Sequence, residues 1–192
     1  MAHPQLANAG KKPLQINKIT RRPRVLLAAC GSVTAVKFAI LCQQFHQWAE
    51  IKAVVTQASL YFTDMKAFPR DVPLYTDEHE WSNWKKKGDT VLHIELREWA
   101  DIMVIAPLSA NTLAKIAGGL CDNLLTSIVR AWDYTKPIFV APSMNASMWT
   151  LSITEEQLKS IDELGISCIR ENNGVMADIH NINYSVRLFV GT

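Results

Sequence analysis

The chain has 192 residues, 48% of them hydrophobic and 20% charged, which is enough for one substantial core and short for two domains. Its formal charge of +2 is too small to mark a nucleic-acid binder, and much of the positive charge sits early in the chain at Lys11, Lys12, Arg21, Arg22 and Arg24. No apolar run approaches the roughly 20 residues that cross a bilayer, and the cysteines Cys30, Cys42, Cys121 and Cys168, widely spaced and without a CxxC, suggest neither a zinc site nor a disulfide framework, so a reduced, cytoplasmic protein is the default.

Residues 1–22 mix Pro, Asn, Gly and Lys without periodicity and read as a disordered basic leader to a single domain at residues 23–192. Residues 24–29, RVLLAA, form a continuous apolar run of the kind covered on both faces of a sheet, and they end in Cys30, Gly31, Ser32, Val33 and Thr34. A helix follows, with Val36, Phe38, Ala39, Leu41, Cys42 and Phe45 at helical spacing up to Trp48. The Gly-Ser turn between them could hold phosphate at the helix N-terminus or be a plain tight turn. Residues 51–56, IKAVVT, are a second strand, ending in Thr56, Gln57, Ala58 and Ser59 before another expected helix. From Phe68 to Asp89 a Pro-containing, acidic and Trp-rich stretch reads as an excursion outside the sheet. Trp81 and Trp84, three apart, would share a helix face there and pack onto the domain, with a subunit contact as the lesser reading.

The stretch at residues 93–125 organises the rest. A buried strand at residues 102–106 runs into Pro107, Leu108, Ser109, Ala110, Asn111 and Thr112, short polar residues opening a helix. Such residues cap a helix, and they can also leave backbone N–H groups and hydroxyls free for a ligand. Gly118 and Gly119 then predict a helix break with close backbone approach. Residues 137–141, PIFVA, give another strand before Pro142, Ser143, Met144 and Asn145; a helix at residues 152–164, a short strand at 166–169 and a closing helix at 184–190 complete the chain. Strands and helices alternate throughout. That pattern favours an α/β, doubly wound parallel sheet in a three-layer sandwich, with its ligand site at the carboxyl ends of the strands.

Four strand-end segments, GSVTAVK, VVTQAS, APLSANTLAKIAGGLCDNLL and APSMNASMW, resemble the flavin-dependent cysteine decarboxylases, above all their plant halotolerance-protein branch, from about Arg22 to Leu188. The resemblance implies a flavodoxin-like (Rossmann-type) fold, FMN as cofactor and a homotrimer with active sites between subunits. It also implies decarboxylation of 4'-phosphopantothenoylcysteine to 4'-phosphopantetheine in coenzyme A biosynthesis. By the same resemblance Gly31, Ser32, Val33, Thr56, Ser109, Ala110, Asn111, Thr112 and Ser143 line the flavin site, with Ser143 a minor change from the family's alanine. His93 matches the family's base and Asn145 the residue that binds the substrate carboxylate. Those roles suit the chemistry, because an imidazole acts near neutral pH and a neutral amide orients a carboxylate. Met144 and Met148 are read as packing.

The chain departs from this family at one place. A flap carrying a proton-donor cysteine is missing, since Ile169 and Arg170 lead through Glu171, Asn172 and Asn173 directly to Gly174 and Val175, and Cys168 belongs to the preceding strand, buried and unreactive. The resulting expectation is flavin binding with incomplete turnover, ending at an oxidised enethiol. The alternatives are a partner-dependent or regulatory flavin-binding subunit and a peptidyl-cysteine decarboxylase.

Overall fold

The structure, a computed structural model, describes residues 21–191, so residues 1–20 of the expected leader at 1–22 lie outside the described residues. Arg21 and Arg22, placed in that leader by composition, are fastened to the domain. Arg21 forms a two-pronged pair with Asp101 at 2.9 and 3.0 Å, and Arg22 donates to the His46 and Ala49 carbonyls at 2.6 and 3.0 Å.

Strand β1 (Arg24–Ala29) is buried on both faces, as its unbroken apolar run requires. Val25, Leu27 and Ala29 join one hydrophobic cluster while Leu26 and Ala28 join the other. A 3-10 turn at Val33–Lys37 precedes helix α1 (Phe38–His46), so the expected single helix is divided. Strand β2 (Glu50–Val55) ends in a second 3-10 turn, Gln57–Tyr61, where a full helix was expected. The acidic, Trp-rich stretch is not wholly outside the sheet: β3 (Leu74–Tyr75) pairs parallel with β2, and helix α2 (Asp77–Asn83) follows. Trp84 lies past the end of that helix with extended backbone, and Trp81 and Trp84 are 79% and 52% exposed. They do not pack onto the domain as expected.

His93 falls on helix α3 (Leu92–Trp99). Strand β4 (Ile102–Leu108) runs two residues further than its apolar pattern suggested, through the cis Ala106–Pro107 peptide and a register shift against its neighbour. Helix α4 (Ala110–Gly118) ends at Gly119, whose φ of 73° is the left-handed C-cap conformation. The glycine pair therefore breaks the helix by conformation. No backbone lies in close approach, because a Cβ on Gly119 would meet only the Arg130 side chain at 3.5 Å. Helix α5 (Leu124–Arg130), strand β5 (Ile138–Pro142), the short helix α6 (Ala146–Trp149), helix α7 (Ser152–Glu163), strand β6 (Ser167–Cys168) and helix α8 (Ile179–Val190) complete the chain. The last helix starts five residues before its expected beginning, where Asp178 caps it by accepting the His180 N–H at 2.8 Å.

The six strands are all parallel in the order β3-β2-β1-β4-β5-β6. Without the two-residue edge strand β3, this is the flavodoxin order, so the doubly wound expectation holds. Helices α1 and α8 pack with one core cluster, and α3, α4, α5 and α7 with the other. The order reverses between β1 and β4, which opens a crevice at their carboxyl ends.

Candidate active site

Backbone bonds tie the strand ends that border this crevice. Cys30 N–H donates to Pro107 O at 3.0 Å, Thr56 N–H to Ala29 O at 3.1 Å and Ser143 N–H to Leu108 O at 2.8 Å. Two clefts, of about 450 and 560 Å³, meet there and share Gly31, Ser109 and Asn111. The first adds Thr56, Gln57, Asp77, Thr112, Lys115 and Asn123. The second adds Ser32, Val33, Thr34, Ala110, Ser143, Met144, Asn145, Met148, Gly174 and Val175. All nine residues expected at the cofactor, and Asn145, thus line one cleft or the other. His93 lines neither.

Two features of the clefts point to a ligand. Thr56 Oγ1 is buried and has no hydrogen-bond partner among the described residues, a costly state unless a bound group supplies one. At Gly31 a Cβ would lie 2.5 Å from the Ala58 Cβ, so only glycine lets the β1 turn pass this close to the β2 turn. Ser109 caps α4 by accepting the Thr112 N–H at 3.3 Å, which leaves the first N–H groups of that nine-residue helix facing the crevice. Ser143 does more than a minor change would. Its Oγ lies 2.9 Å from Ser32 Oγ and 2.8 Å from Thr34 Oγ1, binding the β1 and β5 turns through hydroxyls.

Asn145 caps the short α6. Its Oδ1 accepts the Ser147 N–H at 2.8 Å, so the amide NH2 is the end left to donate. Met144 and Met148, read as packing, border this cleft as well, and Met148 is half exposed. The segment at Arg170 to Met176, where the flap was expected to be missing, is a closed turn. Arg170 bridges Met176 in antiparallel fashion, Asn173 and Gly174 have positive φ, and Met144 N–H donates to Gly174 O at 3.0 Å. A Cβ on Gly174 would meet Met144 O at 2.8 Å and Trp149 Cβ at 2.9 Å, so the turn sits directly on the Asn145 loop.

Sequence reasoning missed Thr34, Asp77, Lys115 and Asn123 at the clefts. Thr34 could have been found from the same turn as Ser32, whereas Asp77 reaches the site only through the packing of α2, which accepts the Leu124 N–H on the Asp77 carboxylate at 2.9 Å. Lys115 holds the Asp122 carboxylate at 2.8 Å, and this contact draws the Asp122 carboxyl below the usual range.

No thiol lines either cleft. Cys30 and Cys42 are buried, which pushes both thiols up; Cys168 is half-buried rather than buried and is pushed up to about 11 by the same cause; Cys121 is exposed. Iodoacetamide on the native protein at neutral pH is expected to alkylate Cys121 first. Peptide mass mapping reads the site, and equal labelling of Cys168 would contradict its shielding.

Fold and site together define an α/β domain that holds a phosphate-bearing cofactor at a topological switch point. The chain belongs to the flavoprotein family, whose model matches residues 15–190. It is similar to "Phosphopantothenoylcysteine decarboxylase HAL3a" of Glycine max, at 60% identity over 98% of this chain and 94% of the relative. That alignment spans 199 positions, more than the 192 residues here, so the relative carries residues that this chain lacks. Among solved structures it is similar to "The FMN binding protein AtHal3", with TM-score 0.86 and 61% identity over 88% of this chain and 97% of that one. A cysteine-to-serine variant of PPC decarboxylase complexed with pantothenoylaminoethenethiol matches with TM-score 0.86 and 60% identity, over 90% of this chain and all of that one.

Proposed function

We propose that this chain is an FMN-dependent carboxy-lyase that decarboxylates 4'-phosphopantothenoylcysteine in coenzyme A biosynthesis. The carrying observation is the hydroxyl-lined double cleft at the switch point, with its unpartnered Thr56 hydroxyl and the Gly31 turn that admits no side chain. The residues present fit FMN. The turns at Gly31 to Val33 and Ser109 to Thr112, with Thr56 and Ser143, would hold it, and the bound flavin supplies the two-electron chemistry that an N-acylated cysteine needs before it can lose CO2. The Asn145 amide, turned by Ser147 so that its NH2 points away, would orient the substrate carboxylate. His93 would take the proton.

Because His93 lines neither cleft of its own chain, we read the working unit as a homotrimer in which His93 of one copy completes the Asn145 cleft of the next. The exposure of Trp81 and Trp84 supports that reading. Four free cysteines support a cytoplasmic setting. Titrating the purified protein with FMN and then adding substrate is expected to give one flavin per chain and FMN-dependent CO2 release. Substrate left intact beside bound flavin would overturn the activity and favour a regulatory flavin-binding subunit.

A further inference from the structure

We propose that Glu80 is the positioning residue for His93, fixing which ring nitrogen carries the proton and which is free to accept one; this rests on the reading of His93 as the base. Glu80 commits both carboxylate oxygens to this one residue. Oε1 lies 2.6 Å from His93 Nδ1, and Oε2 accepts the His93 backbone N–H at 3.2 Å. The Glu80 side chain is 11% exposed and that of His93 25%, so little water competes for the contact.

An ionised carboxylate only accepts, so the hydrogen between Glu80 and Nδ1 belongs to the imidazole. The lone pair of the neutral ring is therefore on Nε2, which makes no hydrogen bond among the described residues. The second bond, to the backbone, fixes the carboxylate relative to the first turn of α3 and so fixes the ring plane. A base held in one tautomer and one rotamer is the arrangement that proton abstraction needs.

Glu80 is itself held from behind. Helix α2 starts in a histidine capping box, in which Thr76 N–H donates to His79 Nδ1 at 3.0 Å. Asp77, three residues before Glu80 and on the same side of the helix, lines the first cleft and grips the N-terminus of α5. The helix is thus a bracket with one carboxylate at the cofactor cleft and the other on His93. This gives the acidic insert a role in the site.

The test uses FMN-loaded, full-length protein as wild type and as the Glu80→Ala, Glu80→Gln, His93→Asn and Glu80→Ala/His93→Asn variants. Decarboxylation gives kcat and KM, and long-range ¹⁵N spectra of histidine-labelled protein give the ring tautomer, with His93 assigned by its loss in His93→Asn. Glu80→Ala is expected to lower kcat at least roughly tenfold, within the span from carboxylate partners of metal-bound histidines to the roughly 10⁴-fold loss for the aspartate that orients a triad histidine, with KM and flavin content unchanged. Glu80→Gln, which keeps an acceptor for Nδ1–H, recovers part of that loss. The double variant is no slower than His93→Asn alone. Wild-type His93 reports the Nδ1–H tautomer, and Glu80→Ala shifts it toward Nε2–H.

Wild-type kcat in Glu80→Ala beside an inactive His93→Asn would overturn the positioning role alone, as would a further loss in the double variant. Wild-type kcat in His93→Asn would overturn the reading of His93 as the base and this inference with it. If Glu80→Ala does not fold, Glu80→Met, which keeps the side-chain volume but offers no acceptor for Nδ1–H, takes its place, and an unchanged tautomer and rate in it serve as the overturning result.

Discussion

Replacing His93 by asparagine is expected to lower kcat for decarboxylation roughly 10²- to 10⁴-fold, the contribution of one positioned general base. Flavin content and thermal midpoint should stay near wild type, because the ring makes its one side-chain bond to Glu80 and is not part of either core cluster. The measurement is pre-steady-state absorbance of the bound flavin together with CO2 release. A variant with full activity would show that the proton leaves by another route. A mixture with an Asn145→Ala variant supplies a second reading: each is inactive alone, and mixed oligomers should regain part of the activity if His93 and Asn145 act from different copies.

The second large effect concerns the product. In air, FMN-loaded protein given 4'-phosphopantothenoylcysteine is expected to release mainly CO2 and the aminoenethiol, two hydrogens lighter than 4'-phosphopantetheine, as read by mass spectrometry; the two electrons would pass to the flavin, and dissolved O2 would take them up for each further turnover. Neither cleft contains a thiol, and the turn at Arg170 to Met176 is closed on the Asn145 loop. The similar solved structure that holds pantothenoylaminoethenethiol is a variant whose cysteine has been changed to serine. Phosphopantetheine as the main product would mean that another group, from this chain or a second copy, donates the final proton.

Much of the fold could be read from the sequence because parallel strands buried on both faces leave continuous apolar runs. Residues 24–29 and 102–106 are such runs, and both are strands. Strand β3 could not be read in this way. Two residues carry no period, and Leu74 and Tyr75 become a strand only by pairing with Ala53 and Val54. Helix α8 began early for a local reason, the Asp178 cap, which apolar spacing does not register. Polar residues clustered at strand ends pointed to the clefts because short polar side chains there can serve a ligand as well as a helix cap, and Ser109 both caps α4 and lines the clefts. Asp77 and Glu80 were hidden because their roles depend on where α2 lands, a tertiary outcome. The tryptophans failed for the opposite reason: large apolar side chains predict burial without saying in which chain the partner lies.

Gly174 lies against Met144 and Trp149, where an added Cβ would meet Met144 O at 2.8 Å and Trp149 Cβ at 2.9 Å, so the turn fits the Asn145 loop only with glycine there. Met144 N–H also donates to Gly174 O at 3.0 Å, so the shape of this rim and the place of the Asn145 loop are set together. A side chain added at Gly174 would therefore act on the amide of Asn145 at a distance, by pushing Met144 and Trp149 out of register with it.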